Sequence, residues 1–190
     1  MRSAKLFYAL IAVIVLVHAA AASAGSAIDM ENPRRAVGRE DDVRVDAILV
    51  QDTISPGGAI GVTYQIHNFS PAPVAIAYRA ANASYDTASR TVTLSVGAEV
   101  PQDGRMPQVV TIAPGEKKLF RGGATPALNP SVFRASSAPR YVQVKVTILR
   151  DPATFSTVTS GEPLSEQQFE QWFEANDTIV LNTIPVRFSP

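Results

Sequence analysis

Two stretches with a strict period of two constrain the fold of this chain more than any other feature. Apolar side chains occupy every second position from residue 60 to 66 and again from residue 142 to 148, with mostly polar or small residues between them. Successive side chains of a β-strand point to opposite faces, so this pattern predicts strands with one buried and one solvated face. Such strands belong to antiparallel sheets, and the chain is therefore predicted to be all-β.

Turn signals separate these stretches from other short β-branched runs. The sequences SPGG at 55–58 and APGE at 113–116 place proline where φ near −65° is needed and glycine where φ becomes positive. The predicted strands lie at residues 43–50, 59–67, 74–84, 91–96, 108–112, 117–121, 141–149 and 179–188. This spacing predicts an immunoglobulin-like two-sheet antiparallel sandwich of seven or eight strands, with a closed barrel as the alternative.

One short helix is predicted at about residues 165–175, just before the last strand. Ser165 and Gln168 have the spacing of a capping box. Three aromatic residues follow at spacing i, i+3 and i+4: Phe169, Trp172 and Phe173. They are the candidate partner-binding residues, because Trp and Phe anchor interfaces. The alternative is that the cluster packs on the open end of the sandwich, since a short helix is stabilised mainly by burying such a face.

Residues 1–24 have the pattern of a secretory signal peptide. Basic residues near the start precede an apolar run, and Ala22-Ser23-Ala24 offers small residues to a signal peptidase. Cleavage would leave Gly25 at the amino terminus, with no stable membrane span, in the periplasm or outside the cell. The alternative is an uncleaved anchor, because residues 6–24 are just long enough to cross a bilayer. Residues 25–42 lack a hydrophobic period and are expected to form a flexible leader before a single β-sandwich domain at 43–190.

Composition excludes several classes of function. The chain has no cysteine, which excludes disulfide frameworks, Cys-ligated zinc, iron–sulfur clusters and thiol catalysis. Its 17 basic and 17 acidic residues leave no basic excess for coating nucleic acid. His67 would be the single histidine after cleavage, and it falls on the polar face of a strand. We therefore expect no catalytic residue, no cofactor, no metal site and no nucleic-acid partner.

Two charged clusters have functional and structural interpretations. Carboxylates at residues 40–42, with Asp46, supply hard oxygen ligands for calcium, but Arg39 and Arg44 flank them and would neutralise them instead. The second cluster is basic and contains Arg105, Lys117, Lys118 and Arg121. It would either bind an acidic surface or a polysaccharide, or keep a strand edge soluble.

Part of the chain, over residues 43–150, resembles known families. The Pro56-Gly57 turn, the strand after it and its final Asn68 resemble bacterial immunoglobulin-like modules, and Pro114-Gly115 is similar to a second turn of CARDB-type and BsuPI-type domains. A weaker similarity, at residues 68–73 and the Pro114-Gly115 turn, is to the first domain of periplasmic pilus chaperones. Those chaperones have two sandwiches and a basic pair that anchors a carboxylate, whereas this chain has room for one sandwich. Both resemblances imply a binding or scaffolding module rather than an enzyme.

We therefore expect a non-catalytic interaction or scaffolding module that binds another cell-envelope protein or an extended peptide, which would add to an exposed sheet edge. Two alternatives belong to other classes. A carbohydrate-active or hydrolytic protein would need two converging carboxylates, and Asp86, Asp103 and Asp151 lie in predicted turns. A secreted protease inhibitor would present the loop at residues 122–139.

Overall fold

The computed structural model describes residues 31–78, 81–97, 101–128 and 137–189. Their strands form a two-sheet sandwich in which buried and solvated side chains alternate along the strands. Inward side chains such as Val45, Ile66 and Val144 are fully buried, and their neighbours along each strand point to the outer faces. Glycines 57 and 115 have φ of 67° and 74°, as the two turn motifs require. The prediction of an all-β sandwich with one helix before the last strands is confirmed.

The described residues contain thirteen strands and one α-helix. The strands are β1 (Arg35–Glu40), β2 (Val43–Leu49), β3 (Thr53–Ile54), β4 (Ile60–Asn68), β5 (Val74–Tyr78), β6 (Asn82–Asp86), β7 (Thr91–Val96), β8 (Gln108–Ile112), β9 (Lys117–Ala124), β10 (Tyr141–Leu149), β11 (Asn176–Val180), β12 (Ile184–Pro185) and β13 (Arg187–Phe188). The helix is α1 (Glu166–Ala175). Among these residues, no helix has the length and apolar character needed to cross a bilayer.

The first sheet has the order β1-β2-β4-β9, and its pairs are antiparallel. The second has the order β6-β7-β10-β5-β8, with β11 and β12 added along β10. The main core lies between the two sheets. Two pairings differ from the expected antiparallel pattern: β7 runs parallel to β10, and β3 runs parallel to β13.

Strand β10 changes its partner on one side at Gly97. It pairs with β7 as far as Val146, and then with β5 at Leu149. Gly97 has φ of 85°, and a Cβ there would overlap the carbonyl oxygen of Thr147. A glycine is therefore needed where β7 leaves the sheet.

Several predicted boundaries differ from the structure. The predicted strand at 74–84 is two strands, β5 and β6. The sequence predicts a single strand there because it has no glycine or proline near residue 80. The predicted strand at 179–188 is three short ones, in which Pro185 cannot donate a ladder hydrogen bond. These divisions, together with β1 and β3, raise the number of strands above the seven or eight expected.

The expectation of a flexible leader at residues 25–42 is wrong for β1. This strand pairs with β2 along its whole length, and its small inward residues Ala36 and Gly38 are buried. Gly38 lies so close to Ile179 and Leu181 that a Cβ would come within 3.0 Å of them. Residues 25–30 and the predicted signal peptide at 1–24 lie outside the described residues.

Candidate functional site

Helix α1 begins as the sequence predicts. The Ser165 hydroxyl accepts a hydrogen bond from the backbone N–H of Gln168 at 3.3 Å, and the Gln168 side chain accepts one from the backbone N–H of Ser165 at 2.9 Å. This capping box satisfies two backbone donors that the first helical turn leaves free. It fixes the start of the helix and therefore the direction in which Trp172 points.

The three aromatic residues of α1 do not form one exposed surface. Trp172 is fully buried, and its ring lies edge-on to Phe155 with centroids 5.2 Å apart. Phe169 is half-buried against Phe173, whose side chain is 46% exposed. Trp172 and Phe155 share a small second core with residues from the outer face of the second sheet and from a nearby loop: Ala75, Ala77, Leu149 and Met106. Trp172 thus has the packing role, and a partner role for Phe169 and Phe173 stays a prediction.

The solvent side of α1 is acidic. Glu166, Glu170 and Glu174 are all exposed at spacing i, i+4 and i+8, with Phe173 beside them. These three glutamates form the acidic stripe. The sequence has no lysine or arginine between residues 151 and 186, so nothing in this segment itself balances their charge.

The opposite side of the sandwich, the outer face of the first sheet, carries a row of basic residues. Strand register places Arg39 opposite Arg44, Arg44 opposite His67, and His67 opposite Lys117. These four side chains form the basic row, one from each strand of the sheet. Neighbouring strands lie about 4.8 Å apart, so the row spans about 14 Å.

Two further rows complete this surface, which we call the basic face. The second row contains Val37, Asp46, Gln65 and Leu119. The third contains Arg35, Ile48, Thr63 and Arg121. The face therefore carries five arginine or lysine residues and one histidine, against a single carboxylate.

That carboxylate, Asp46, is neutralised within the face. Arg35 approaches it at 2.5 Å and Arg44 at 2.9 Å. Burial opposes ionisation of Asp46, but hydrogen bonds and charge from Arg44 and Arg35 outweigh it and lower the pKa of the carboxyl group. The acidic cluster of the sequence is thus paired with arginines, as its flanking residues suggested; Asp42 also lies 3.7 Å from Arg39.

His67 lies in the middle of the basic row. Burial lowers the pKa of its imidazole, and the positive charges of Lys117 and Arg44 lower the pKa further. The ring contacts the half-exposed Phe69 with centroids 3.5 Å apart, and the Arg39 guanidinium lies 5.9 Å from the centre of the Phe69 ring. The row therefore disfavours one more positive charge in the absence of an anion.

A buried side chain fixes the turn that carries Phe69. Asn68 donates hydrogen bonds to the carbonyl oxygens of Ala72 at 2.8 Å and Ile112 at 3.1 Å. Its own side-chain oxygen accepts two from Ser70. The sequence indicated Asn68 only as a strand end, whereas the structure shows that it ties the end of β4 to β8.

The basic cluster expected from the sequence is divided by the fold. Lys117 and Arg121 lie on the basic face, joined there by Arg35 and Arg44 from distant parts of the sequence. Lys118 points away from that face and donates to the carbonyl oxygen of Thr111 at 2.6 Å. The remaining member, Arg105, bonds to the carbonyl oxygen of Gly161.

The residues suggested for hydrolysis lie in separate local turns. Asp86 accepts hydrogen bonds from Ala88 and Ser89, and Asp151 accepts one from Thr154, while Asp103 lies in a 3-10 helix. Residues 129–136 of the proposed inhibitor loop lie outside the described residues, and residues 122–124 belong to β9. In the part of the chain that the structure describes, no group of three or more metal-ligating side chains could hold a metal ion.

The edges of the first sheet differ. At β1, the backbone N–H and carbonyl oxygen of Val37 bond to Asn182, and Arg150 donates to the carbonyl oxygen of Glu40. At the other edge, β9 pairs with β4 only, among the described strands. The expected addition of a peptide to a sheet edge stays a prediction, for which β9 is the candidate edge.

Comparisons with protein-family models, with curated proteins and with solved structures gave no match for this chain. The resemblance to bacterial immunoglobulin-like modules therefore stays a prediction from its turn motifs.

Proposed function

We propose that this chain is an exported, non-catalytic binding module that holds an acidic protein segment in the cell envelope on its basic face. The observation that carries the proposal is the basic row, which aligns Arg39, Arg44, His67 and Lys117 on adjacent strands. Export rests on the signal-like pattern of residues 1–24.

The basic row is unfavourable for the isolated domain. Arg39 and Arg44 are like charges directly opposite each other on neighbouring strands, an arrangement that destabilises a sheet by up to about 1 kcal/mol, and His67 adds to the repulsion from Arg44 and Lys117 when it is protonated. Two carboxylates oppose this charge in part: Asp46 is shared by Arg44 and Arg35, and the exposed Asp42 lies 3.7 Å from Arg39, whereas no carboxylate of the three rows lies directly opposite Lys117. An acidic partner would relieve this repulsion, which supports a binding role for the row.

The apolar residues among the charges favour a protein partner. Leu119 is 38% exposed at the β9 end of the second row, and Val37 lies half-buried at its β1 end, with Asp46 and Gln65 between them. Protein interfaces mix apolar with polar contacts and are enriched in arginine. The exposed Arg121 supplies such an arginine in the third row, whereas Arg35 in the same row is bonded to Asp46.

Site-specific photocrosslinking tests the proposal. A photoreactive residue replaces Leu119 on the basic face in cells that export the protein, and the matched control replaces Tyr141, which is 40% exposed on the second sheet. We expect an adduct from position 119 only, with the crosslinked peptide rich in Asp and Glu. Combining Lys117→Glu with Arg121→Glu should remove the adduct, because it reverses the charge around the site.

The matched charge control combines Arg140→Glu with Arg187→Glu, at two exposed positions outside the basic face. It should leave the adduct intact. The proposal is contradicted by an equal adduct from position 141, by a crosslinked segment without an acidic excess, or by an adduct that survives the Lys117 and Arg121 reversals.

A further inference from the structure

We propose that the acidic segment held by the basic face is α1 of a second copy of this chain. The inference rests on the proposed function, since it uses the same face. The acidic stripe and the basic row lie on opposite sides of the sandwich, because Trp172 seats α1 on the outer face of the second sheet. Each copy thus presents both halves of a complementary contact.

The two charged surfaces match in length. Glu166 and Glu174 are eight residue steps apart on the helix, or about 12 Å at 1.5 Å per residue, with Glu170 midway between them. The basic row spans about 14 Å across four strands. A helix lying across the strands would place its three carboxylates along the four basic side chains.

Part of the acidic stripe is unfavourable in a single copy, although the helix dipole favours Glu166 in the first turn. Glutamates at i and i+4 repel each other by about 0.2–0.5 kcal/mol per pair. Glu174 also lies in the last turn, where the helix dipole disfavours negative charge. Docking α1 on the basic face would relieve both sets of repulsion at once.

Exposed apolar groups lie beside both charged surfaces. Phe173 is next to Glu174 on α1, and Leu119 is in the row next to Lys117 on the basic face. When the carboxylates lie along the basic row, Phe173 can cover Leu119 at the β9 end of the second row. An aromatic anchor inside a charged rim is the usual arrangement of an interface that excludes water.

This contact joins two different surfaces, so it is heterologous. Each added copy leaves one basic face and one α1 free at the ends of the assembly. Such contacts produce rings or open chains rather than closed two-fold dimers. We therefore expect a distribution of oligomers that grows with protein concentration.

Sedimentation velocity of the purified protein, expressed from the full chain, tests the inference. We expect the weight-average sedimentation coefficient to rise with protein concentration at low salt. It should fall to the monomer value in about 1 M salt, because the Debye length is then about 3 Å and the charges of the two copies are screened from each other. Either Lys117→Glu with Arg121→Glu, or Glu170→Lys with Glu174→Lys, should abolish association. Circular dichroism checks that each variant is folded.

Two rescues separate this contact from non-specific charge effects. Mixing the two charge-reversed proteins should restore association, and so should all four substitutions in one chain, because each pairs opposite charges again. The Arg140→Glu and Arg187→Glu control should associate like the wild type. A monomeric wild type at all concentrations, or folded reversals that are not rescued, would overturn the inference. In that case a crosslink from position 119 to a different acidic protein would still support the proposed function.

Discussion

Strand β4 of the first sheet and strand β5 of the second are built on the same period of two, but their outer faces have opposite surroundings. On the first sheet, the outward residues of β4 are Thr63, Gln65 and His67, and the face is open to solvent. On the second, the outward residues of β5 are Ala75 and Ala77, which are buried under Trp172. The size and polarity of the outward residues therefore decide whether a sheet face is covered or is available for binding.

This difference separates the residues that hold the fold from those proposed to bind a partner. The covered face uses Trp172 and Phe155 to hold the segment between β10 and β11 in place. The open face keeps like charges side by side, at some cost in stability. Substitutions on the two faces should consequently affect different measurements.

The largest expected effect comes from Trp172→Ala. Removing a fully buried Trp should lower the free energy of unfolding by about 3–5 kcal/mol. Phe173→Ala is the matched control on the same helix and should change it by less than about 0.5 kcal/mol, because the side chain is exposed. Urea denaturation measures both. A stable Trp172→Ala protein that has lost its partner would instead make Trp172 a binding residue.

An intermediate effect is expected where α1 meets the outer face of the second sheet. Ala75→Leu should lower the free energy of unfolding by about 1–3 kcal/mol, because the side chain would press against the small second core. The chain has a single Trp, so its fluorescence should shift to the red as Trp172 moves toward water. Thr63→Leu, at an outward position of the open face, should stay within about 0.5 kcal/mol with unchanged fluorescence. Equal effects at both positions would contradict the contrast between the faces.

The smallest expected effect is on the basic row. Lys117→Gln should raise the free energy of unfolding by a few tenths of a kcal/mol at low pH, where His67 opposite it becomes protonated and the two charges repel each other. It should also raise the pKa of His67, which Lys117 lowers. Lys145→Gln on the second sheet is the control and should change neither. Proton NMR of the His67 ring gives the pKa, and an unchanged value would show that the row does not act on it.

The same pKa sets the pH dependence of stability. The pKa of His67 is lowered from 6.5 on folding, so the unfolded chain binds its proton first. The contribution of His67 to stability is therefore complete above pH 6.5, and it is lost as the pH falls toward the lower pKa of the folded state. Lys117→Gln should reduce the stability that is lost between about pH 7.5 and about pH 5, and urea denaturation at both pH values measures that loss. A loss of stability as large as in the wild type would contradict the conclusion that Lys117 lowers the pKa of His67.

Strong local signals made most of the fold predictable. The strands at 91–96, 108–112 and 141–149 and the cap at Ser165 agree with the prediction because alternation, turn residues and capping act over a few neighbouring residues. Strand β1 was missed because its inward residues are Ala36 and Gly38, which give no apolar period. They are small because Ile179 and Leu181 pack directly against them.

The basic row was only partly predictable, because it depends on register between distant strands. Arg39 and Arg44 are near each other in sequence, but Lys117 reaches the same row only when β9 pairs with β4. The equal numbers of acidic and basic residues also concealed the separation of charge. A count over residues 151–186 alone, which finds acids and no lysine or arginine, would have indicated the acidic side.

Titration of His67 by NMR, with and without a short polyglutamate peptide, tests most directly whether the basic row receives an anion. We expect a pKa below 6.5 for the protein alone, and a higher pKa when the peptide is bound, because its carboxylates stabilise the imidazolium. A neutral glycine–serine peptide should leave the titration unchanged. A pKa of His67 that polyglutamate does not raise would contradict a binding role for the basic row.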